Sequence, residues 1–167
     1  MYDVRPNFII GFHGCEESTR DKLISNPNEL VFSTKPYDWL GHGMYFWENN
    51  YTRAMLWAEE KWQNGQIKKP AVLGAVIHLG YCCDFLDSKY IQLVKKYFSS
   101  LKDLYEILGE DLPKNKNVGG NPHKDMLLRE LDCAVIEFMH QSIFESLEKE
   151  INKSGSSSIN IFDTTRG

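Results

Sequence analysis

Two short stretches of this chain hold the residue types that do chemistry. The first is Phe12-His13-Gly14-Cys15, at the end of an apolar run. The second is Gly41-His42-Gly43-Met44-Tyr45-Phe46-Trp47-Glu48-Asn49. A glycine lets a flat ligand reach the backbone amide and carbonyl, because no side chain stands in the way. An imidazole beside it can hydrogen-bond a ribose hydroxyl. In the second stretch, glycines precede an aromatic pair. On a strand, Tyr45 and Phe46 point to opposite faces, so one lines a cleft while the other packs. A strand that ends in His-Gly, then a glycine-flanked aromatic strand running into a helix, is a layout for gripping a dinucleotide and cleaving it. It is not a dinucleotide-binding GxGxxG loop, since no third glycine follows and no helix begins there.

Positioning these groups requires elements on either side. Asn7 to Phe12 reads as a buried strand ending at His13, and Glu16 to Ile24 as a short helix with acidic residues in its first turn. Ser25 to Leu40 is a loop rich in Asn, Pro, Ser and Asp. Gly43 to Trp47 reads as the next strand. Asn49, Asn50 and Thr52 offer capping oxygens for a helix through about Gln63, with Ala54, Trp57, Ala58 and Trp62 at helical spacing and Gly65 at its end. Ala71 to Leu79 reads as a central strand buried on both faces. Ser88 to Leu108 is an amphipathic helix through Ile91, Val94, Phe98, Leu101, Tyr105 and Leu108. A polar loop from Gly109 to His123 leads to a long helix over Lys124 to Ile151. Residues 153–158 form a flexible joint, and Ile159 to Phe162 starts another strand. The expected architecture is one α+β domain over 1–167, with a helical insertion at 88–152 and a C-terminal strand region beginning at 159–167.

Bulk composition narrows the function classes. The 167 residues are 42% hydrophobic and 13% aromatic, which suits a folded core rather than a disordered chain. A net charge of −4 argues against a general electrostatic grip on nucleic acid. Met1 to Arg5 lead into no apolar signal region, and the longest apolar stretch, Ala71 to Leu79, is too short to span a bilayer. Cys15, Cys82, Cys83 and Cys133 show no disulfide-framework spacing, so reduced thiols and a cytoplasmic location are expected. Cys82-Cys83 with His78 and Asp84 lack metal-site spacing, and no metal is expected. Lys114, Lys116, His123 and Lys124 make a basic loop that reads as solvated.

Taken together, the two motifs resemble the ADP-ribosyltransferase fold of the poly(ADP-ribose) polymerase type. The match runs through His13-Gly14, Gly41, Gly43, Tyr45, Phe46, Glu48 and Asn49. The chain is also similar to a group of small bacterial proteins that share Tyr37-Asp38-Trp39-Leu40-Gly41-His42-Gly43 ahead of the Tyr-Phe pair. The resemblance implies a split β-sheet core with NAD as substrate. It implies that His13 bonds the adenosine-side ribose, that the Gly14 backbone holds the nicotinamide amide, and that Tyr45 lines the nicotinamide side of the cleft. His13 and Tyr45 are then the catalytic candidates, and Gly14, Gly43 and Phe46 bind the cofactor. Arg53 is a candidate partner for the pyrophosphate. Trp39 or Trp57 offers a stacking face.

The chemistry of such a site passes through an oxocarbenium-like state, which needs negative charge near the developing cation. In the family a glutamate at the start of a late strand supplies it. Phe162-Asp163-Thr164-Thr165-Arg166-Gly167 falls before such a strand, so the expectation is that this element lies beyond Gly167 or is replaced, with Glu130 and Glu137 as candidates. The resulting expectation is a mono-ADP-ribosyltransferase acting on a protein or nucleic-acid acceptor as a bacterial toxin or phage-defence effector, with an antitoxin or chaperone as a possible partner. Two alternatives stand beside it. One is an NAD-binding or NAD-hydrolysing module without transferase activity. The other is a protein-interaction domain.

Overall fold

The computed structural model describes residues 7–117 and 126–167. Met1 to Arg5, the loop residues Gly119, Gly120 and Pro122, and His123 and Lys124 of the basic loop lie outside the described residues. The apolar run that carries His13 and Gly14 forms β1 (Phe8–Glu16). Its register against β3 (Pro70–His78) is unbroken, from Phe8 opposite His78 to Glu16 opposite Pro70. On its other side only Gly11 and Phe12 pair, with Glu48 and Trp47 of β2 (Trp47–Glu48). The three strands make an antiparallel sheet in the order β2-β1-β3. The Glu16 carboxylate closes one end by accepting from the backbone N–H groups of Lys68 and Lys69.

The chain divides into two compact units, the first over Met1–Phe32 and Gly43–Leu79, the second over Ser33–His42 and Gly80–Gly167. In the first, α1 (Glu17–Ser25) follows β1 directly and buries Leu23. The helix α2 (Tyr51–Gln63) starts where the Asn50 side chain accepts from the Arg53 N–H at 2.9 Å. Its buried positions are Ala54 and Ala58, while Trp57 and Trp62 of the expected apolar stripe remain partly exposed. The cause is a close approach to β1. A Cβ on Gly14 would lie 2.1 Å from the Ala54 carbonyl oxygen, so only small residues fit between strand and helix.

Two expected strands take a different form. Gly43 to Trp47 is not a strand along its length: Gly43 makes only an isolated bridge, and ladder pairing is confined to Trp47 and Glu48. Tyr45 directs its carbonyl to the His13 side chain instead of to a ladder partner. Ala71 to Leu79 is not central, because β3 lies at the sheet edge and Val76 is 75% exposed. Its residues alternate, with Ala71 buried and Gly74, Val76 and His78 turned out.

The second unit holds β4 (Cys82–Asp84), α3 (Ser88–Leu108), α4 (Glu130–Ser154) and β5 (Thr164–Arg166). Here β4 and β5 pair in parallel, Cys82 opposite Thr164. Cys83, Tyr90 and Met139 form the core, with Phe85, Val94, Tyr97 and Phe162 packed around them. The Asp87 side chain caps α3 at one end and Gly109, at φ +70°, stops it at the other. The helix expected from Lys124 begins at Glu130. Leu128 instead exchanges backbone bonds with Lys116 at 2.8 and 3.1 Å, and the Asn115 side chain accepts from the Leu131 N–H at 3.0 Å. The strand expected to start at Ile159 starts five residues later, at Thr164. Phe162 is taken up in a flat stack on Tyr81, with centroids 4.7 Å apart, and the Asp163 carboxylate accepts from the Tyr81 N–H at 2.8 Å. The protein is thus mixed α/β, with two small sheets and four α-helices among the described residues. No described helix is long and apolar enough to cross a membrane.

Gly14→Ala is expected to lower stability by about 3 kcal/mol, because the added methyl meets backbone that has no room to move. Gly43→Ala adds its methyl to open space and is expected to change stability by less than about 0.5 kcal/mol. Urea unfolding of the two variants side by side measures the difference.

Candidate functional site

The unbroken register of β1 fixes where each of its groups points. Backbone groups along a strand alternate sides. The Ile10 carbonyl accepts from the Asn49 N–H on the β2 side, and the Glu17 N–H donates to the Lys69 carbonyl on the β3 side. Gly14 shares the parity of Ile10, so its N–H and C=O turn to the β2 side. They do so beyond Phe12, the last β1 residue that β2 reaches. Side chains alternate too. The bare Cα of Gly14 faces Ala54 and Ala58 of α2, while His13 faces the opposite way, its ring 5.6 Å from that of Phe46. Gly11 shares the His13 face, and a Cβ on it would lie 2.9 Å from the Phe46 Cβ. Phe46 therefore seats over Gly11 and flanks His13.

His13 ties the two motifs together. Its Nδ1 lies 2.7 Å from the Tyr45 carbonyl oxygen. A carbonyl only accepts, so Nδ1 carries the proton and Nε2 of the neutral ring is left as an acceptor. Burial lowers the His13 pKa from 6.5. The Tyr45 bond works against that shift, and the Lys61 charge adds to it. The imidazole is therefore neutral at pH 7, with an acceptor nitrogen suited to a hydroxyl.

The remaining candidates occupy distinct settings. Tyr45 is half-buried and contributes the carbonyl that orients His13. Gly43 has a negative φ and open space at its Cα, so nothing steric demands glycine there. The demanding glycine is Gly41. Its φ is +84°, and a Cβ would lie 2.6 Å from the Glu137 carboxylate. Arg53, in the first turn of α2, sits 5.6 Å over the Trp47 ring and 6.0 Å over Trp57, with Glu60 at 3.5 Å. Lys61 lies over Trp57 at 5.3 Å. His13, Gly14, Gly43, Tyr45, Phe46 and Arg53 belong to the first unit, and Trp39 belongs to the second.

Both glutamates considered as catalytic substitutes are engaged. Glu137 accepts from the His42 N–H at 2.7 Å through Oε1 and meets His42 Nδ1 at 3.2 Å through Oε2. Glu130 pairs with Lys116 at 2.6 Å. Sequence reasoning missed the role of Glu137 as the clasp of the Gly41-His42 turn. It also missed Lys61, which follows Arg53 by eight residues, about two turns further along the same helix. Two of the thiols, Cys83 and Cys133, sit in settings that disfavour the thiolate. Burial, with nearby negative charge adding to it, pushes Cys83 up to about 12 and Cys133 up to about 11. The described residues contain no His, Cys, Asp and Glu cluster arranged for a metal ion.

His140 of α4 also has its pKa lowered by burial, partly opposed by Glu137. For both half-buried histidines the unfolded chain takes up a proton near pH 6.5, where the folded chain takes up less. Stability is therefore complete above that value and falls as the pH drops from 6.5 toward the lowered folded pKa. Melting temperatures between pH 7.5 and 5.5 are expected to decline, and His13→Gln and His140→Gln are each expected to flatten that decline. Comparison of the chain with protein-family models, curated proteins and solved structures gives no match.

Proposed function

We propose that the chain binds NAD at the His13-Gly14 end of β1, cleaves its nicotinamide–ribose bond and transfers ADP-ribose to a macromolecular acceptor, in the manner of a mono-ADP-ribosyltransferase. The reading rests on one observation above the others, the 2.7 Å bond from His13 Nδ1 to the Tyr45 carbonyl. It joins the His-Gly motif to the Tyr-Phe motif, as a single site requires, and it leaves Nε2 to accept from a ribose hydroxyl. The Gly14 N–H and C=O, turned past the end of β2, suit the carboxamide of nicotinamide, which offers one donor and one acceptor in return. Phe46 flanks the imidazole, and Arg53 gives a cation for the pyrophosphate.

In the reaction, the bond between C1′ of the ribose and the pyridinium nitrogen breaks. Nicotinamide leaves as a neutral molecule with the bonding electron pair, and C1′ gains oxocarbenium character. A hydroxyl, carboxylate or amine of the acceptor then adds to C1′, and a hydroxyl or amine gives up its proton. When water is the nucleophile, the outcome is hydrolysis. The residues named here fix the leaving ring and orient the sugar. Such an activity fits a toxin or phage-defence effector.

A second reading, an NAD-binding or NAD-hydrolysing module without transferase activity, is favoured by the engagement of Glu130 and Glu137. Neither presents a carboxylate free of partners to a developing cation. The test combines calorimetry with NAD, release of nicotinamide, and labelling of a cell lysate from labelled NAD. Transfer, with about a 100-fold loss on His13→Ala, is the expected result. Tight binding without turnover would favour the module. An absence of binding would remove both readings, provided the variant and parent melt alike.

A further inference from the structure

Strand β3 has the composition of a central strand and the position of an edge one. From Pro70 to His78 it carries no Asp, Glu, Lys or Arg, and its proline stands at the first position. Its register against β1 has no bulge. Charges, internal prolines and bulges are the devices that keep a sheet edge from pairing, and the interior of β3 has none of them. Yet one side of β3 has no neighbouring strand.

Backbone parity decides which groups face that side. At the two ends of the ladder, the Leu79 N–H donates to the Asn7 carbonyl and the Glu17 N–H to the Lys69 carbonyl. The odd-numbered residues of β3 therefore spend their backbone groups on β1. Val72, Gly74, Val76 and His78 turn theirs outward, and no backbone group among the described residues takes them up. Their side chains share a face with Phe8, Ile10 and Phe12. That face is apolar and open, with Phe8, Ile10 and Val76 all exposed.

A second copy of the same strand fits this edge residue by residue. Antiparallel pairing about a two-fold axis has to match outward residues with outward residues. An axis at Gly74 sets Pro70, which has no N–H, opposite His78. An axis at Val76 sets Val72 opposite Gly80, which lies outside the strand at φ +61°. An axis at Ala75 matches every outward residue, Val72 with His78 and Gly74 with Val76. Each such pair exchanges two bonds, about eight in all. At about one bond per 100–200 Å², that number corresponds to an interface of about 800–1,600 Å², which reaches the size of a stable dimer. The side chains agree with this register. The Phe12 ring lies over Gly74, 3.4 Å from where a Cβ would stand. Val76 of the other copy comes opposite Gly74, beside that ring, and the two-fold axis repeats the contact.

We infer that β3 pairs with β3 of a second copy, antiparallel and two-fold about Ala75. One continuous sheet results, in the order β2-β1-β3-β3-β1-β2. The strand is then central, as its composition requires, and the apolar patches of both copies lie on the same side of the sheet. The pairing is independent of the NAD reaction proposed above.

Sedimentation equilibrium of the whole chain over a range of concentrations is expected to show monomer and dimer in exchange. Val76→Lys sets a charge against the Phe12 ring and is expected to raise the dissociation constant about 10-fold or more, with the circular dichroism of the parent retained. Ala75→Cys places two thiols across the axis on Cα atoms about 4.5 Å apart, within reach of a disulfide. Mild oxidation is expected to cross-link that variant into a dimer. It is expected to leave His78→Cys, whose counterpart lies at the far end of the paired strand, and the parent without a cross-link. A chain that stays monomeric at every concentration overturns the inference, whatever else the edge binds. So does a dimer that Val76→Lys leaves unchanged, or one in which Ala75→Cys cross-links no more than His78→Cys.

Discussion

The contact between Gly14 and the Ala54-Ala58 face of α2 is the constraint on which the first unit depends. Strand and helix meet there with no side chain on one partner and a single methyl on the other. Such an approach brings backbone against backbone and leaves the larger side chains nowhere to go but the flanks. Trp57 is therefore turned outward, where it meets Trp47 at 5.8 Å and gathers Arg53 and Lys61. The same contact settles which way β1 faces. With Gly14 committed to the helix, His13 has to project from the opposite face, toward Phe46. A packing requirement at one residue thus decides the direction of the imidazole next to it.

Side-chain acceptors on backbone N–H groups are the recurring device in the turns. Glu16 holds Lys68 and Lys69, Asp38 holds Lys35, Glu137 holds His42 and Asp163 holds Tyr81. Asn115 does the same for Leu131. Each acceptor satisfies donors that no ladder or helix reaches, and a charged acceptor makes a stronger bond than a neutral one. The excess of carboxylates in the composition has a local use: several of them anchor main chain. Among the described residues, no buried side-chain nitrogen or oxygen lacks a partner.

What was legible in the sequence follows from the kind of signal each element carries. Helix α3 was read to its ends, because its periodicity spans 21 residues and both caps are local. Helix α2 was placed correctly for the same reason, but its buried face was misjudged. Hydrophobicity alone ranks Trp57 above Ala58, and only the distance to β1 reverses the order. The strand at Gly43 was over-extended, since a carbonyl spent on a histidine side chain leaves no trace in residue types. The starts of α4 and β5 were displaced for a related reason. Asn115, Lys116 and Tyr81, remote in sequence, decide where those elements begin. At the candidate site, the residue types of His13, Gly14, Tyr45 and Phe46 were visible from the start. The tautomer of His13 and the engagement of Glu137 were not, because both depend on partners 32 and 95 positions away.

Beside its packed core, the second unit is closed by several ties of this long-range kind. Asp163 reaches Tyr81 across 82 positions, Trp39 reaches Leu127 across 88, Glu137 reaches His42 across 95, and Cys133 reaches Lys35 across 98. Each closes a large loop before any contact repays the lost chain entropy. Helices α3 and α4 form from neighbouring residues, so they can exist early as unanchored pieces. The turn at Gly41-His42 and the strand β4 take their partners, Glu137 and β5, from far along the chain. For this part of the molecule, the contacts that define the Gly41-His42 turn and β4 join chain segments more than 80 positions apart, so a cut anywhere in the intervening chain would separate the two halves of each contact.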